Sequence, residues 1–240
     1  MYLNLKYPKV NNCFKFKKFT IKQENSVFKV GTDGVLLGCL ANISNAYNLL
    51  DVGTGTGLLS LISAQRNPSI SIIAIDSEVE AASLAKENCS KSSFSKNIRV
   101  IHEDLNNYSS DFPFDYIICN PPFFKTSKQL HQKHPVARHQ IKFSYDLLFT
   151  KAKEIIAKNG KLGLIFPIDG EKEVLSKGES NHFYPERMVY ISGIKNGRFK
   201  RIFTEFSLNK KEILTDSIYI EESPRVWSSK YKNLTTDFYL

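Results

Sequence analysis

Two short segments hold the residues best placed to do chemistry. In the first, Asp51-Val-Gly53-Thr-Gly55-Thr-Gly57 directly follows the apolar run 48–52 and opens a stretch with helical spacing. Glycines at such a junction let the backbone turn sharply and come close to a ligand, with a helix N-terminus just beyond. Asp76 ends the next apolar run, 25 residues after Asp51. A carboxylate there can take both hydroxyls of a ribose. In the second segment the apolar run 115–119 stops at Asn120-Pro121-Pro122-Phe123. Two prolines remove two backbone donors and fix φ, so the strand must end and the Asn120 side chain is held rigidly. Its amide oxygen can accept a hydrogen bond from an exocyclic NH2, and the Pro121 carbonyl can accept the other hydrogen. Phe123 offers a flat apolar face to a planar base or amide.

The glycine loop could serve a nicotinamide dinucleotide or S-adenosylmethionine, and the two need different physics. A dinucleotide rests its pyrophosphate on the helix N-terminus and favours G-x-G-x-x-G. Here the loop reads Gly-Thr-Gly-Thr-Gly-Leu-Leu, without glycine or alanine at the sixth position. Asp51, on the strand just before the glycines, repels a diphosphate but suits the ammonium of an amino acid. S-adenosylmethionine, a sulfonium cation, is therefore the expected cofactor.

These residues need elements to position them. From Tyr47 onward, apolar runs at 48–52, 71–76, 98–101, 115–119 and 161–166 alternate with helical stretches at 57–66, 78–92 and 144–158. That alternation predicts a parallel sheet covered by helices on both faces, with the two motifs at the carboxyl ends of its strands. A charged helix is expected over 169–178. Two longer strands at 188–194 and 201–208 follow, paired antiparallel through the Asn196-Gly197 step. A last strand pattern at 217–220 and a polar tail ending in Asp237-Phe-Tyr-Leu close the chain. Upstream, residues 14–30 alternate loosely and predict a hairpin turning at Gln23-Glu24-Asn25, after which Thr32 caps a short helix. The expected organisation is an N-terminal hairpin and helix cap over 1–45 and one catalytic domain over 46–240.

Asp51 to Gly57, Asp76, Asp104 in His-Glu-Asp-Leu and Asn120 to Phe123 together resemble a class I methyltransferase of the N-P-P-[FY] group that methylates amines. The resemblance covers roughly residues 47–167. It implies an α/β, Rossmann-like sheet of order 3-2-1-4-5-7-6 with strand seven antiparallel, which agrees with the hairpin expected at 188–208. It also implies that Asp51, Gly53, Gly55 and Gly57 line the methionine part of S-adenosylmethionine, that Asp76 holds the ribose and that Asp104 meets the adenine amino group. Asn120 and Pro121 would grip the target nitrogen, with Pro122 and Phe123 completing the motif. The flanking segments 28–38 and 136–140 and the closing tail are similar to one branch, the bacterial tRNA1(Val) adenine-37 N6-methyltransferases. By that likeness Thr32 approaches the cofactor, and Arg138 and His139 sit near the target nucleotide. Gly34 stands where many of that branch carry alanine.

Composition and charge are consistent with this. The 240 residues carry +9 at pH 7, and the excess is clustered. Seven lysines face Glu24 alone in residues 1–30, and 125–142 holds Lys125, Lys128, Lys133, Arg138 and Lys142 with no acid. A third cluster is Lys195, Arg198, Lys200 and Arg201. Such blocks attract a polyanion, nucleic acid being the commonest, although a lysine-rich solvated surface looks the same in composition. Lys125, Lys128, Lys133, Arg138 and His139 are the expected contacts to a tRNA. No apolar run approaches the ~18 residues of a membrane span, and no secretory signal opens the chain, so a cytoplasmic monomer is expected. Cys13, Cys39, Cys89 and Cys119 lie too far apart for a zinc or redox motif, and no metal is expected.

The expected reaction is methyl transfer to N6 of adenine 37 in valine tRNA. Asn-Pro-Pro-Phe also fits a guanine N2 amine of ribosomal RNA, DNA adenine or a release-factor glutamine. A nicotinamide oxidoreductase and a non-catalytic RNA-binding module are the readings from other classes.

Overall fold

The computed structural model describes residues 12–24, 27, 29–122 and 143–239. The core is a nine-stranded sheet built from β3 (Asn48–Val52), β4 (Ser71–Asp76), β5 (Ile98–His102), β6 (Phe114–Cys119), β7 (Ile156–Pro167), β8 (Tyr184–Ile194), β9 (Phe199–Ser207), β10 (Leu214–Ser223) and β11 (Val226–Trp227). Its order is β11-β10-β8-β9-β7-β6-β3-β4-β5. Counting from β3, the first seven strands run 3-2-1-4-5-7-6, and β9 is antiparallel to both neighbours. The expected order is borne out. What the sequence did not announce is the extension: β10 joins the edge parallel to β8, and β11 folds back on it.

The strands read as apolar runs because both faces are covered. Leu50, Val52, Ile117 and Cys119 pack on one face beneath α4 (Tyr145–Ile155) and α5 (Glu171–Ser180). Leu49, Tyr116 and Ile118 pack on the other, where α1 (Thr32–Leu40), α2 (Leu58–Arg66) and α6 (Ser229–Thr235) lie. Burial on both sides gives apolar runs rather than the half-polar alternation of an exposed strand. The helix α3 (Val79–Ser90) links β4 to β5.

Three local expectations change. The N-terminal hairpin pairs β1 (Cys13–Lys15) with β2 (Thr20–Lys22) and turns at Phe16–Phe19, not at residues 23–25. Both phenylalanines are buried, and Phe16 stacks on Tyr239, so the apolar rings select the turn and leave Lys17 and Lys18 outside. Thr32 is the first residue of α1 rather than its cap. Gly31 occupies that position and no side chain caps the helix. The closing tail is no polar appendage: Phe238 is buried, its carbonyl accepts from Lys17 N at 2.8 Å, and Asp237 O accepts from Gln65 Nε2 at 2.7 Å. Phe16, Phe19 and Ile21 thus share one cluster with Leu61, Ile62 and Phe238.

A buried polar knot holds α1 to the sheet. Glu205 on β9 accepts from Tyr116 OH at 2.7 Å and from Asn42 N at 2.8 Å, and Arg187 reaches Leu40 O at 2.8 Å. Arg66 donates to Gly38 O and Ala41 O at the end of the same helix. Carbonyls orphaned at the helix C-terminus are satisfied this way.

Candidate active site

The site lies where β3, β4 and β6 end. β3 delivers Asp51 to the sheet interior, fully buried, and the chain then turns through Gly53, Gly55 and Gly57 at φ +70°, +58° and +81°. Only glycine adopts such angles without strain. A Cβ at Gly57 would stand 2.9 Å from Cys89 Sγ, so that glycine is also required by the approach of α3. At Gly53 and Gly55 a Cβ would meet nothing within 4 Å among the described residues. Their outer faces open on space, as a cradle for a ligand requires.

Two carboxylates frame this loop. Asp51 Oδ2 accepts from Thr54 Oγ1 at 2.7 Å, Ser60 Oγ at 2.7 Å and Ser60 N at 3.2 Å, while Asp51 Oδ1 is buried with no partner among the described residues. Burial pushes the Asp51 carboxyl up to about 6, against the pull of the Ser60 and Thr54 donors, with the nearby Asp76 charge adding to the rise. A buried acceptor lacking a donor costs free energy, which a positively charged donor would recover. Asp76 Oδ2 accepts from Gly55 N at 2.8 Å and Oδ1 from Glu78 N at 3.0 Å. Burial raises it as well, opposed by those two backbone donors. The carboxylate therefore clasps the loop as well as facing the crevice. Asp104 stands one strand further out, in the turn after β5, its Oδ1 accepting from Asn106 N at 2.7 Å. Glu103 beside it donates its N–H to Asp76 O at 3.0 Å, which brings Asp104 to the same edge of the sheet.

β6 runs beside β3 with Cys119 in register with Val52, so Asn120 emerges next to the glycine loop. Its Oδ1 is buried without a hydrogen-bond partner among the described residues. Pro121 is buried and Pro122 exposed. Behind Asn120 stands Gly34 of α1, where a Cβ would lie 3.7 Å from Asn120 Nδ2. Thr32 is exposed, two residues before, at the rim. The Cys119 thiol is fully buried and pushed well above its ordinary range, and burial raises those of Cys39 and Cys89 to about 12. None of these three is a thiolate nucleophile.

Asp51, Gly53, Gly55, Gly57, Asp76, Asp104, Asn120 and Pro121 are thus brought to one edge. Phe123, Lys125, Lys128, Lys133, Arg138 and His139 lie outside the described residues. Sequence reading passed over Ser60 and Thr54, which fix Asp51, although a serine inside the apolar turn Leu58–Leu61 was a visible signal. It also passed over the ion pair of Arg201 Nε with Asp33 Oδ2 at 2.8 Å. Nothing in one sequence couples residues so far apart. Among the described residues no cluster of His, Cys, Asp and Glu could hold a metal, and no helix is long and apolar enough to cross a membrane.

Comparison with known proteins matches residues 18–170 to the methyltransferase small domain family. A tRNA1(Val) (adenine(37)-N6)-methyltransferase of Flavobacteriaceae bacterium strain 3519-10 is 42% identical over 94% of this chain and 97% of its own. The protein of that name from Bacteroides thetaiotaomicron is 34% identical over 96% and 98%. Among solved structures, a predicted O-methyltransferase of Agrobacterium tumefaciens superposes with a TM-score of 0.69, at 18% identity, over 86% of this chain and 96% of the other. That likeness shows the shared fold.

Proposed function

The chain belongs to the methyltransferase small domain family, and on that premise we propose that it transfers a methyl group from S-adenosylmethionine to N6 of adenine 37 in the anticodon loop of valine tRNA. The relatives that match nearly end to end carry that activity in their names. The observation that carries the reading is the orphaned Asn120 Oδ1, a buried acceptor that an exocyclic N–H would satisfy, set one strand from the open glycine cradle. The cradle fits the cofactor by its own chemistry. No donor among the described residues reaches Asp51 Oδ1, where an ammonium would supply one, and Asp76 would take the hydroxyls of the ribose. Asp104 would take the adenine amino group and Thr32 would close the rim.

Bound S-adenosylmethionine supplies an electrophilic methyl group on a sulfonium. This chain's residues do the rest. The N6 lone pair of adenine is delocalised into the ring and is a poor nucleophile. Asn120 Oδ1 and the Pro121 carbonyl would accept its two hydrogens, favour the pyramidal nitrogen and bear the positive charge that develops there. Positioning accounts for much of the remaining rate. The proton then leaves to solvent. Phe123 would take over the stacking that the extruded base loses, and Lys125, Lys128, Lys133, Arg138 and His139 would hold flanking phosphates. The segment 1–45 acts as a cap over the domain 46–240, and the enzyme works as a monomer in the cytoplasm.

The test is methylation of two transcripts of valine tRNA, one unmodified and one with guanine in place of adenine 37. Labelling of the first alone is expected. Equal labelling of both, or of ribosomal RNA or a release factor only, would overturn the substrate.

A further inference from the structure

The third basic cluster of the sequence takes on meaning from its position. β8 runs parallel to β7 and β9 antiparallel, so the turn joining them stands at the carboxyl edge of the sheet, the edge that bears Asp51, Asp76 and Asn120. Asn196 at φ +59° and the bond from Gly197 N to Ile194 O at 2.9 Å make the turn tight. Arg201 pairs with Pro167, and Leu164 with Cys119. Arg201 therefore stands about 10 Å above the level of Cys119, three residues at ~3.3 Å each, and the tip lies one to three residues beyond it. It stands two strands to the side. The connection to the site is direct: Arg201 donates to Asp33 at 2.8 Å, and the next residue, Gly34, faces the Asn120 amide.

The charges on this tip are not equivalent. Lys195 is tied to Glu222 and lies over the Tyr219 ring. Arg201 is held by Asp33. Arg198 and Lys200 are exposed and make no ion pair among the described residues. Between them Phe199 is 44% exposed, with one side against Tyr190 at a centroid distance of 5.6 Å. Two unpaired cations flanking an exposed ring form the pattern that binds single-stranded nucleic acid: phosphates to the cations, a base to the ring.

We infer that the β8–β9 tip, Arg198-Phe199-Lys200, is a second RNA-contact surface, gripping the backbone of the substrate RNA beside the nucleotide presented to Asn120. The inference rests on the RNA methyltransferase reading above and extends it to a surface outside the cofactor and Asn-Pro-Pro machinery.

The test compares Arg198→Ala/Lys200→Ala with Lys153→Ala/Lys158→Ala, an equal loss of charge at the opposite, amino end of β7. The probe is unmodified valine tRNA transcript, with binding followed across a salt series. Loss of two phosphate contacts should lower the slope of log affinity against log salt by about 1.5 and weaken binding roughly ten- to fifty-fold near 0.1 M salt. S-adenosylmethionine affinity and melting temperature should stay unchanged, and the Lys153/Lys158 variant should bind as wild type. Phe199→Ala should weaken binding with the slope preserved, because a stacked base releases no counterion. Wild-type affinity and slope in the Arg198/Lys200 variant, or equal weakening in both double variants, would overturn the assignment. The substrate reading is judged separately: if the wild type methylates the transcript while the tip variants bind normally, the tip alone is wrong. If the wild type neither binds nor methylates it, both fall.

Discussion

Asp51 on β3 and Asn120, which directly follows the adjacent parallel strand β6, each have one buried side-chain oxygen that no donor among the described residues reaches. Two unsatisfied acceptors side by side, one charged and one neutral, are costly unless ligands complete them. In the proposed reaction the pair would divide the labour of the site, Asp51 taking a cation and Asn120 an N–H.

Removing Asn120 should therefore separate binding from chemistry. Asn120→Ala is expected to retain S-adenosylmethionine, by calorimetry, and to lose about 2–4 kcal/mol of transition-state stabilisation, a drop of roughly 30- to 10³-fold in single-turnover rate. A variant that transfers methyl groups at the wild-type rate would contradict the role.

Asp51 predicts a pH dependence with a definite sign. Its folded-state value is raised from 3.8 to about 6 by burial. The protonated form is favoured in the fold, so this contribution to stability is complete below about 3.8 and is lost as pH rises through about 6. In the cofactor-free protein Asp51→Asn should raise stability at pH 8 by up to about 3 kcal/mol. It should also abolish cofactor binding, since the ammonium loses its anion. Wild-type binding near pH 6 should release a proton, visible as a buffer-dependent heat. Undiminished affinity in Asp51→Asn would remove the ammonium assignment.

The loop glycines should fail in different ways. Gly57→Ala places a Cβ 2.9 Å from Cys89 Sγ at φ +81° and is expected to destabilise the fold by about 1–3 kcal/mol. Gly53→Ala meets no atom of the described residues within 4 Å and carries only the backbone strain of φ +70°, about 1 kcal/mol, so its larger effect should be on cofactor affinity through the occupied cradle. Thermal melts alongside calorimetry distinguish the two. Equal loss of affinity per unit of stability lost in both variants would refute the distinction.

Gly163 tests the polar knot beneath α1. A Cβ there would fall 2.4 Å from Tyr116 OH, whose bond to Glu205 it would break. Tyr116 is fully enclosed and cannot swing aside. Overpacking of about 1–3 kcal/mol is expected for Gly163→Ala, read as a lower denaturant midpoint. Gly34→Ala is the contrasting case, because its nearest obstacle is the flexible end of Leu58 at 2.9 Å, and Asn120 Nδ2 sits at an ordinary 3.7 Å. It should fold and methylate normally.

The sequence by itself determined the parallel core and its two motifs, because these depend on short-range rules. Strands buried on both faces read as continuous apolar runs. Three glycines after an aspartate, and two prolines after an asparagine, restrict the backbone wherever they occur. The hairpin of β8 and β9 was equally legible, since Asn196-Gly197 is a hairpin signal and Asn196 adopts the left-handed φ of +59° in its turn. Long-range packing decided the rest. The turn of the first hairpin moved to Phe16–Phe19 because those rings meet Phe238 and Tyr239, over two hundred residues away. Strand β10 joined the edge, and the tail became core, for the same reason: burial gained against distant partners outweighs local turn preference and local polarity. Ser60 and Thr54 on Asp51, and Arg201 on Asp33 beside Gly34, belong to this second class. Periodicity places each residue on a face of its own element, but which side chain it meets across the crevice depends on how the elements pack.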